Sequence, residues 1–461
     1  MRQRRVDGRP VKCGLGGGVW GHKSVATSQR VFVTCMLMSG CAPSPLPTAV
    51  GADLGVSFPL PVEDLGGPAP SPDIADLEIG PAPFGTDAGR CVAAAAPPIC
   101  TPGPGIVHFL PSFLGPKNKG PVGIAIGDLN GDGLGDIAIS YDVSGELGVY
   151  YNRGDGSFSN ERSYRPVEAG APLVIRDLNG DQRPDVIATS GAGTFDVLLN
   201  TGQDLSAPIQ YGDPCRFDGC TGFGGDFSWG SLSVGDLNCD GSVDVALWDT
   251  FFLNRGNGAF LPGVLYSASP WRLTTVGDVD GDGWPDVLGT GGLTTDHVTV
   301  GVALSHEGRF DIQSLVTFPT DQTTQTKFRS FASGDFNRDG NADVVLCADF
   351  VMFAGFGSQN KQLDHFSKLR TIYSGGHVEV SDVDRDGNPD VLVEDKYELI
   401  VLYGLGDGSF KTTETKLHIF PRWTVGDLDG DCWPDIVSAD NLSGTIDILH
   451  NHRDGTFTHG P

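Results

Sequence analysis

The sequence predicts an all-β chain, a seven-bladed β-propeller preceded by an exported, largely unstructured amino-terminal segment, and three observations predict it. One eleven-residue pattern occurs seven times between Gly127 and Ile436. Each copy leads into a short apolar run that alternates in the manner of a strand. A second, Gly-rich turn recurs between the copies, so each period holds four strands, two of them joined through each connection.

The seven copies read GDLNGDGLGDI from Gly127, RDLNGDQRPDV from Arg176, GDLNCDGSVDV from Gly235, GDVDGDGWPDV from Gly277, GDFNRDGNADV from Gly334, SDVDRDGNPDV from Ser381 and GDLDGDCWPDI from Gly426. Their first aspartates are 49, 59, 42, 57, 47 and 45 residues apart, a period that belongs to blades or solenoid turns. The 356 residues from Ile106 to Pro461 divide into seven units of about 51 each, the size of four-stranded blades.

Composition agrees. Sixty-six Gly and 31 Pro in 461 residues imply many turns, and 39% hydrophobic content suffices for a packed core. The formal net charge of −27 excludes nucleic acid as a natural partner, because phosphate binding needs clustered Lys and Arg. Cations are the expected counterpart.

Residues 1–41 read as an export signal: Arg2, Arg4, Arg5, Lys23 and Arg30 precede the apolar stretch Val31 to Cys41. Eleven residues cannot span a bilayer, which needs about 20. The ending LMSGC resembles a lipoprotein cleavage site, which implies acylation of Cys41 and a membrane tether. Residues 42–105, rich in Pro, Ala and Gly and without sustained periodicity, read as a linker. Residues 106–461 form the propeller.

The repeated pattern is D-x-[DN]-x-D-G-x-x-D, with an oxygen-bearing side chain at positions 1, 3, 5 and 9 and a main-chain carbonyl available at position 7. Calcium takes six to eight hard oxygen ligands, and a short loop with a sharp turn wraps alternate side chains around one ion. The predicted ligands are Asp128, Asn130, Asp132, Leu134 and Asp136 in the first loop, and Asp177, Asn179, Asp181, Arg183 and Asp185 in the second. The third has Asp236, Asn238, Asp240, Ser242 and Asp244, and the fourth Asp278, Asp280, Asp282, Trp284 and Asp286. The fifth has Asp335, Asn337, Asp339, Asn341 and Asp343, the sixth Asp382, Asp384, Asp386, Asn388 and Asp390, and the seventh Asp427, Asp429, Asp431, Trp433 and Asp435.

No Cys or His stands at a ligand position, which argues against zinc and copper, and magnesium prefers fewer protein ligands. Twenty-four of the 28 side-chain positions are Asp, and such crowding is repulsive unless a cation sits among them. Up to seven divalent ions would move the formal charge from −27 to about −13. Gln182 and Cys432 replace the sixth-position Gly and predict two weaker sites, since that position asks for a left-handed backbone.

The flanks separate this loop from helical calcium modules. An EF-hand needs Glu at position 12 and a helix on either side, whereas here position 12 of the first loop is Ile139 and the copies continue as DIAISY, DVIATS or DVLVED. The second element, YYNRGDGSF at Tyr150, LLNTGQDLS at Leu198, FLNRGNGAF at Phe252, LYGLGDGSF at Leu402 and LHNHRDGTF at Leu449, joins strands 3 and 4. On these residues the chain resembles the FG-GAP or VCBS-type repeats, like those of integrin α-subunit propellers. The resemblance implies one calcium ion between strands 1 and 2 of each blade and names no particular partner.

Ring closure is expected from pairing the short last strand near GTFTHGP with GIVHFLPSF at Gly105. Cys215 and Cys220 are plausible disulfide partners, Cys91 and Cys100 close a small loop, and Cys239, Cys347 and Cys432 look unpaired. RGD at Arg153–Asp155 is explained as hairpin geometry. No nucleophile elbow, zinc-protease motif or P-loop is present in the sequence. The expected function is therefore a non-enzymatic, monomeric binding or adhesion module, secreted or held at the cell surface, for a protein or glycan ligand. Contact is expected in the stretches 200–230 and 289–330, where Phe223, Phe227, Trp229 and Phe328 fall. The alternative is a carbohydrate-active enzyme, a polysaccharide lyase or hydrolase on the same ring, whose paired carboxylates the Asp surplus would hide.

Overall fold

The computed structural model describes residues 112–114 and most of 119–459; the longest internal runs outside the description are 165–171, 213–231, 266–273, 291–296 and 320–327. The expectations for the export segment, Cys41, the linker, Cys91, Cys100, Cys215, Cys220, Phe223, Phe227 and Trp229 fall outside the described residues.

Every described element is a strand. Blade 1 is β2 (Pro121–Gly127), β3 (Asp136–Tyr141), β4 (Glu146–Tyr150) and β5 (Arg162–Tyr164). Blade 2 is β6 (Leu173–Arg176), β7 (Asp185–Ser190), β8 (Thr194–Leu198) and β9 (Ile209–Gly212). Blade 3 is β10 (Leu232–Gly235), β11 (Asp244–Leu247), β12 (Thr250–Phe252) and β13 (Val264–Leu265). Blade 4 is β14 (Thr274–Gly277), β15 (Asp286–Thr290), β16 (His297–His306) and β17 (Arg309–Pro319). Blade 5 is β18 (Phe328–Gly334), β19 (Asp343–Ala348), β20 (Val351–Ser358) and β21 (Gln362–Thr371). Blade 6 is β22 (Gly375–Ser381), β23 (Asp390–Asp395), β24 (Glu398–Gly404) and β25 (Phe410–His418). Blade 7 is β26 (Arg422–Gly426), β27 (Asp435–Ala439), β28 (Thr445–Asn451) and β29 (Phe457–His459), joined by β1 (Ser112–Leu114).

The seven sheets are antiparallel meanders with strands in sequence order, which makes the fold a seven-bladed β-propeller. Strand 1 is innermost: β2 lies against β26 and β6, β14 against β10 and β18, and β22 against β18 and β26. The middle strands are buried on both faces because each blade is sandwiched between two others. All six residues of β3 are buried, as are all six of β19 and of β23.

The core is divided among the seams. One apolar cluster joins blades 1 and 2 (Leu147, Val149, Ile175, Val186) and another blades 2 and 3 (Ile187, Phe195, Val245, Phe252). Further clusters join 3 to 4, 4 to 5, 5 to 6 and 6 to 7, and Ile137, Ile139, Val437 and Ile448 close the ring between 7 and 1. Trp423, fully buried, fills the seam between blades 6 and 7. Edge-to-face ring contacts of Phe195 with Phe252 and Phe260, at 5.0 and 5.3 Å between centroids, fill that between 2 and 3.

One expectation changes. β1 and β29 do not pair with each other: both pair with β28, β1 against Thr445–Asp447 and β29 against Leu449–Asn451, so they share the outer edge of blade 7 end to end. Within the stretch 289–330, His297–His306 and Arg309–Pro319 form one long hairpin that completes blade 4. Phe328 opens β18.

Candidate metal centre

Each acidic loop bridges strands 1 and 2 of its blade and closes on one register pair. These are Gly127↔Asp136, Arg176↔Asp185, Gly235↔Asp244, Gly277↔Asp286, Gly334↔Asp343, Ser381↔Asp390 and Gly426↔Asp435. The position-9 aspartate is thus the first residue of strand 2. All seven are 0–3% exposed, and they carry the loop's frame.

In blade 1, Asp136 Oδ2 accepts the Leu129 N–H at 2.9 Å and Oδ1 accepts the Asn152 N–H at 2.8 Å. Asp244 does the same with Leu237 and Asn254, and Asp390 with Val383 and Gly404. Burial pushes Asp136, Asp343 and Asp390 up to about 7 and Asp244 and Asp286 up to about 8; the two main-chain donors oppose the shift, and the loop's other carboxylates add to it.

Positions 1, 3 and 5 form the concave side. Asp128 accepts N–H groups of Gly131, Asp132 and Gly133 at 2.6, 3.1 and 2.8 Å. The position-6 N–H reaches the position-1 Oδ2 in all seven loops, including Gln182 to Asp177 and Cys432 to Asp427. The position-7 N–H of Leu134, Arg183, Ser242, Trp284, Asn341, Asn388 and Trp433 reaches the position-5 Oδ1. These donors orient the carboxylates before any ligand arrives.

Ligand atoms of Asp278, Asp280 and Asp282 lie within 4.8 Å of one another, as do those of Asp382, Asp384 and Asp390, and of Asp427, Asp429 and Asp431. Burial and the neighbouring carboxylates push Asp429 up to about 7, and Asp278, Asp384 and Asp427 are raised for the same reasons. This all-oxygen set fits calcium, which when bound supplies charge neutralisation and a fixed loop shape. Asp429 and Asp435 also approach His450, whose Nδ1 is 3.4 Å from Asp435 Oδ1, a neighbour that sequence spacing does not reveal.

The loop turns left-handed twice. Position 6 has φ of 87° at Gly133, 66° at Gln182 and 74° at Cys432, so the two substitutions do sit in the strained region. Position 4 is left-handed as well, at Cys239 (58°), Arg338 (59°) and Arg385 (53°) and at glycine in the other four copies. Cys239 and Cys432 are each disulfide-bonded, which corrects the expectation that they are unpaired. Cys347 is a free, buried thiol.

Sequence reasoning missed two functional positions. Position 2, always Leu, Val or Phe, is 0–5% exposed and plugs the seam to the following blade: Leu129 between blades 1 and 2, Leu178 between 2 and 3, and Leu428 between 7 and 1. Its carbonyl accepts the side-chain amide of the next blade's turn. Asn200 Nδ2 donates to Leu129 O, Asn254 to Leu178 O, Asn451 to Val383 O and Asn152 to Leu428 O, each at 2.8 Å. Ser305 Oγ reaches Leu237 O at 3.4 Å. Gly357 stands at the corresponding place in blade 5, where a Cβ would lie 2.7 Å from Val279 O. The signals were present: the apolar residue after the first Asp, and the Asn that opens the turn in NRG, NTG, NRG and NHR. That turn also accounts for the RGD triplet, where Gly154 N–H donates to Asn152 Oδ1 and Arg153 N–H to Ser157 O.

Seven such loops on a seven-bladed ring make this a repeat propeller, a fold that supports a ligand-binding module and is generally non-catalytic. The chain carries FG-GAP-like repeats, matched at residues 177–247 and 278–346, and the fold is consistent with an FG-GAP or VCBS propeller. No curated protein sequence matches the chain. Among solved structures it is similar to an Agrocybe aegerita lectin described as recognising non-reducing terminal N-acetylglucosamine, at 20% identity and TM-score 0.47, covering 64% of this chain and 80% of that one. It is also similar to BBS1N, solved in complex with ARL6DN, at 10% identity and TM-score 0.46, covering 74% of this chain and 96% of that one.

Proposed function

We propose that the protein is a calcium-stabilised, non-enzymatic binding propeller that works outside the cytoplasm, secreted or tethered through Cys41. The observation that carries the reading is the double role of each loop. Positions 1, 3 and 5 gather oriented oxygens on one side, while position 2 of the same loop plugs the seam and, in four of the seven, receives the next blade's side-chain amide. An ion that fixes the loop therefore fixes the contact between blades, and these contacts stiffen a ring that presents a ligand surface.

Disulfide bonding of Cys239 and Cys432 supports an oxidising compartment. For ligand contact, a cleft of about 230 Å³ lies between blades 1 and 2, lined by Asn130, Tyr151, Arg162, Gln203 and Asp204. Amide, aromatic and charged groups together suit a polar ligand such as a glycan or a peptide. The test is metal analysis of protein purified without chelator, followed by a glycan and protein binding screen in calcium and in chelator. Calcium-dependent binding without turnover supports the reading. Absence of calcium, or turnover of a polysaccharide, overturns it.

A further inference from the structure

Resting on that reading, we infer that the loop of blade 2, Asp177 to Asp185, is held by an arginine in place of calcium. Arg183, at position 7, turns its side chain back over its own loop: Nη2 donates to Asp181 Oδ2, and Nε donates to the carbonyl of Asn200 at 3.2 Å. The guanidinium is thereby pinned between the acidic loop and the turn joining strands 3 and 4 of the same blade. Gly202, left-handed at φ 81°, lies beneath it, and a Cβ there would be in ordinary contact with Arg183 Cδ at 3.4 Å and Nε at 3.5 Å.

The position-5 Oδ2 is the diagnostic atom. In blades 1, 3 and 5 it accepts the neutral amide of the position-3 asparagine, Asn130 at 3.1 Å and Asn238 and Asn337 at 3.0 Å, and in blade 6 that of Asn388 at 2.8 Å. A neutral amide rotates aside at little cost and can offer its own oxygen. A guanidinium keeps its charge at any pH in which the protein folds and has no oxygen to offer. A dication within the loop would be a few ångströms from a fixed like charge, enough at a surface dielectric to weaken affinity by about tenfold or more.

Blade 2 is also poorest in carboxylate once the arginine is counted. Its three aspartates face one guanidinium, against three or four aspartates elsewhere. Blade 7 shows the other outcome. Arg453 Nε bonds Asp431 Oδ2 at 2.8 Å, yet the extra Asp429 keeps three carboxylates together there, so that loop retains a cation site. The calcium count of the ring is accordingly six at most, with blade 2 closed by its own side chain.

Hydrogen exchange read by mass spectrometry on the whole protein tests this. Peptides over the loops of blades 1, 3, 4, 5 and 6 should exchange about tenfold or more slowly in calcium than in chelator, and the peptide over 177–185 by less than about twofold. Arg183→Gln, at a side chain 45% exposed and therefore compatible with folding, should make blade 2 respond to calcium like its neighbours. Arg183→Lys should leave it unresponsive. If blade 2 of the unaltered protein slows in calcium as the others do, or if Arg183→Gln stays unresponsive while they respond, the arginine assignment falls alone. If no loop responds, the calcium reading falls and takes this inference with it.

Discussion

Replacing Asn254 by alanine tests the clamp between blades most directly. Asn254 is 2% exposed and makes four side-chain hydrogen bonds: Nδ2 to Leu178 O at 2.8 Å and Val243 O at 3.0 Å, and Oδ1 from the N–H groups of Gly256 at 3.0 Å and Gly258 at 3.2 Å. Alanine removes all four and leaves two buried carbonyls and two amides to find water. At about 0.5–1.5 kcal/mol net for each bond, the loss comes to about 4 kcal/mol. A ring of about 340 residues unfolds with an entropy of about 0.7 kcal/mol/K, so the melting temperature should fall by about 6 °C. Calorimetry in chelator isolates the clamp from any metal contribution. Asn254→Ser should lose about half as much, because Ser305 already spans the equivalent gap in blade 4. An Asn254→Ala protein melting within about 1 °C of the unaltered one would refute the claim that these amides hold the blades together.

Leu237→Ala, at a fully buried position-2 plug, should cost about 2–5 kcal/mol, seen as a lowered urea midpoint. Chelation should lower the melting temperature and added calcium restore it, each saturated site contributing about 4 kcal/mol when calcium is a thousandfold above its dissociation constant. In the chelated protein, Asp136, Asp343 and Asp390 near 7 and Asp244 and Asp286 near 8 lie above the unfolded carboxylate value. The native state then binds protons more tightly than the unfolded chain, so stability is greatest near pH 4 and declines towards pH 8; a melting temperature that rises over that window contradicts it. Alkylation of denatured, unreduced protein should label Cys347 and spare Cys239 and Cys432, as read by peptide mass.

Much of the architecture is local and therefore legible in the chain. A left-handed turn, an oxygen at alternate positions and an alternating apolar run each constrain only neighbouring residues, and seven repetitions of GDLNGDGLGDI and its relatives fix the number of blades and the order of strands. The same locality placed Gln182 and Cys432 in strained conformations before any coordinates. What required the tertiary structure are contacts between residues far apart in sequence, Asn152 reaching Leu428 and β1 and β29 sharing β28, and the disulfide-bonded state of Cys239 and of Cys432. Arg183 marks the boundary, since its position in the motif was plain but its side chain's route to Asp181 and Asn200 was not. A repeat specifies its own blade, whereas closing the ring decides which blade's amide, plug or cation meets which loop.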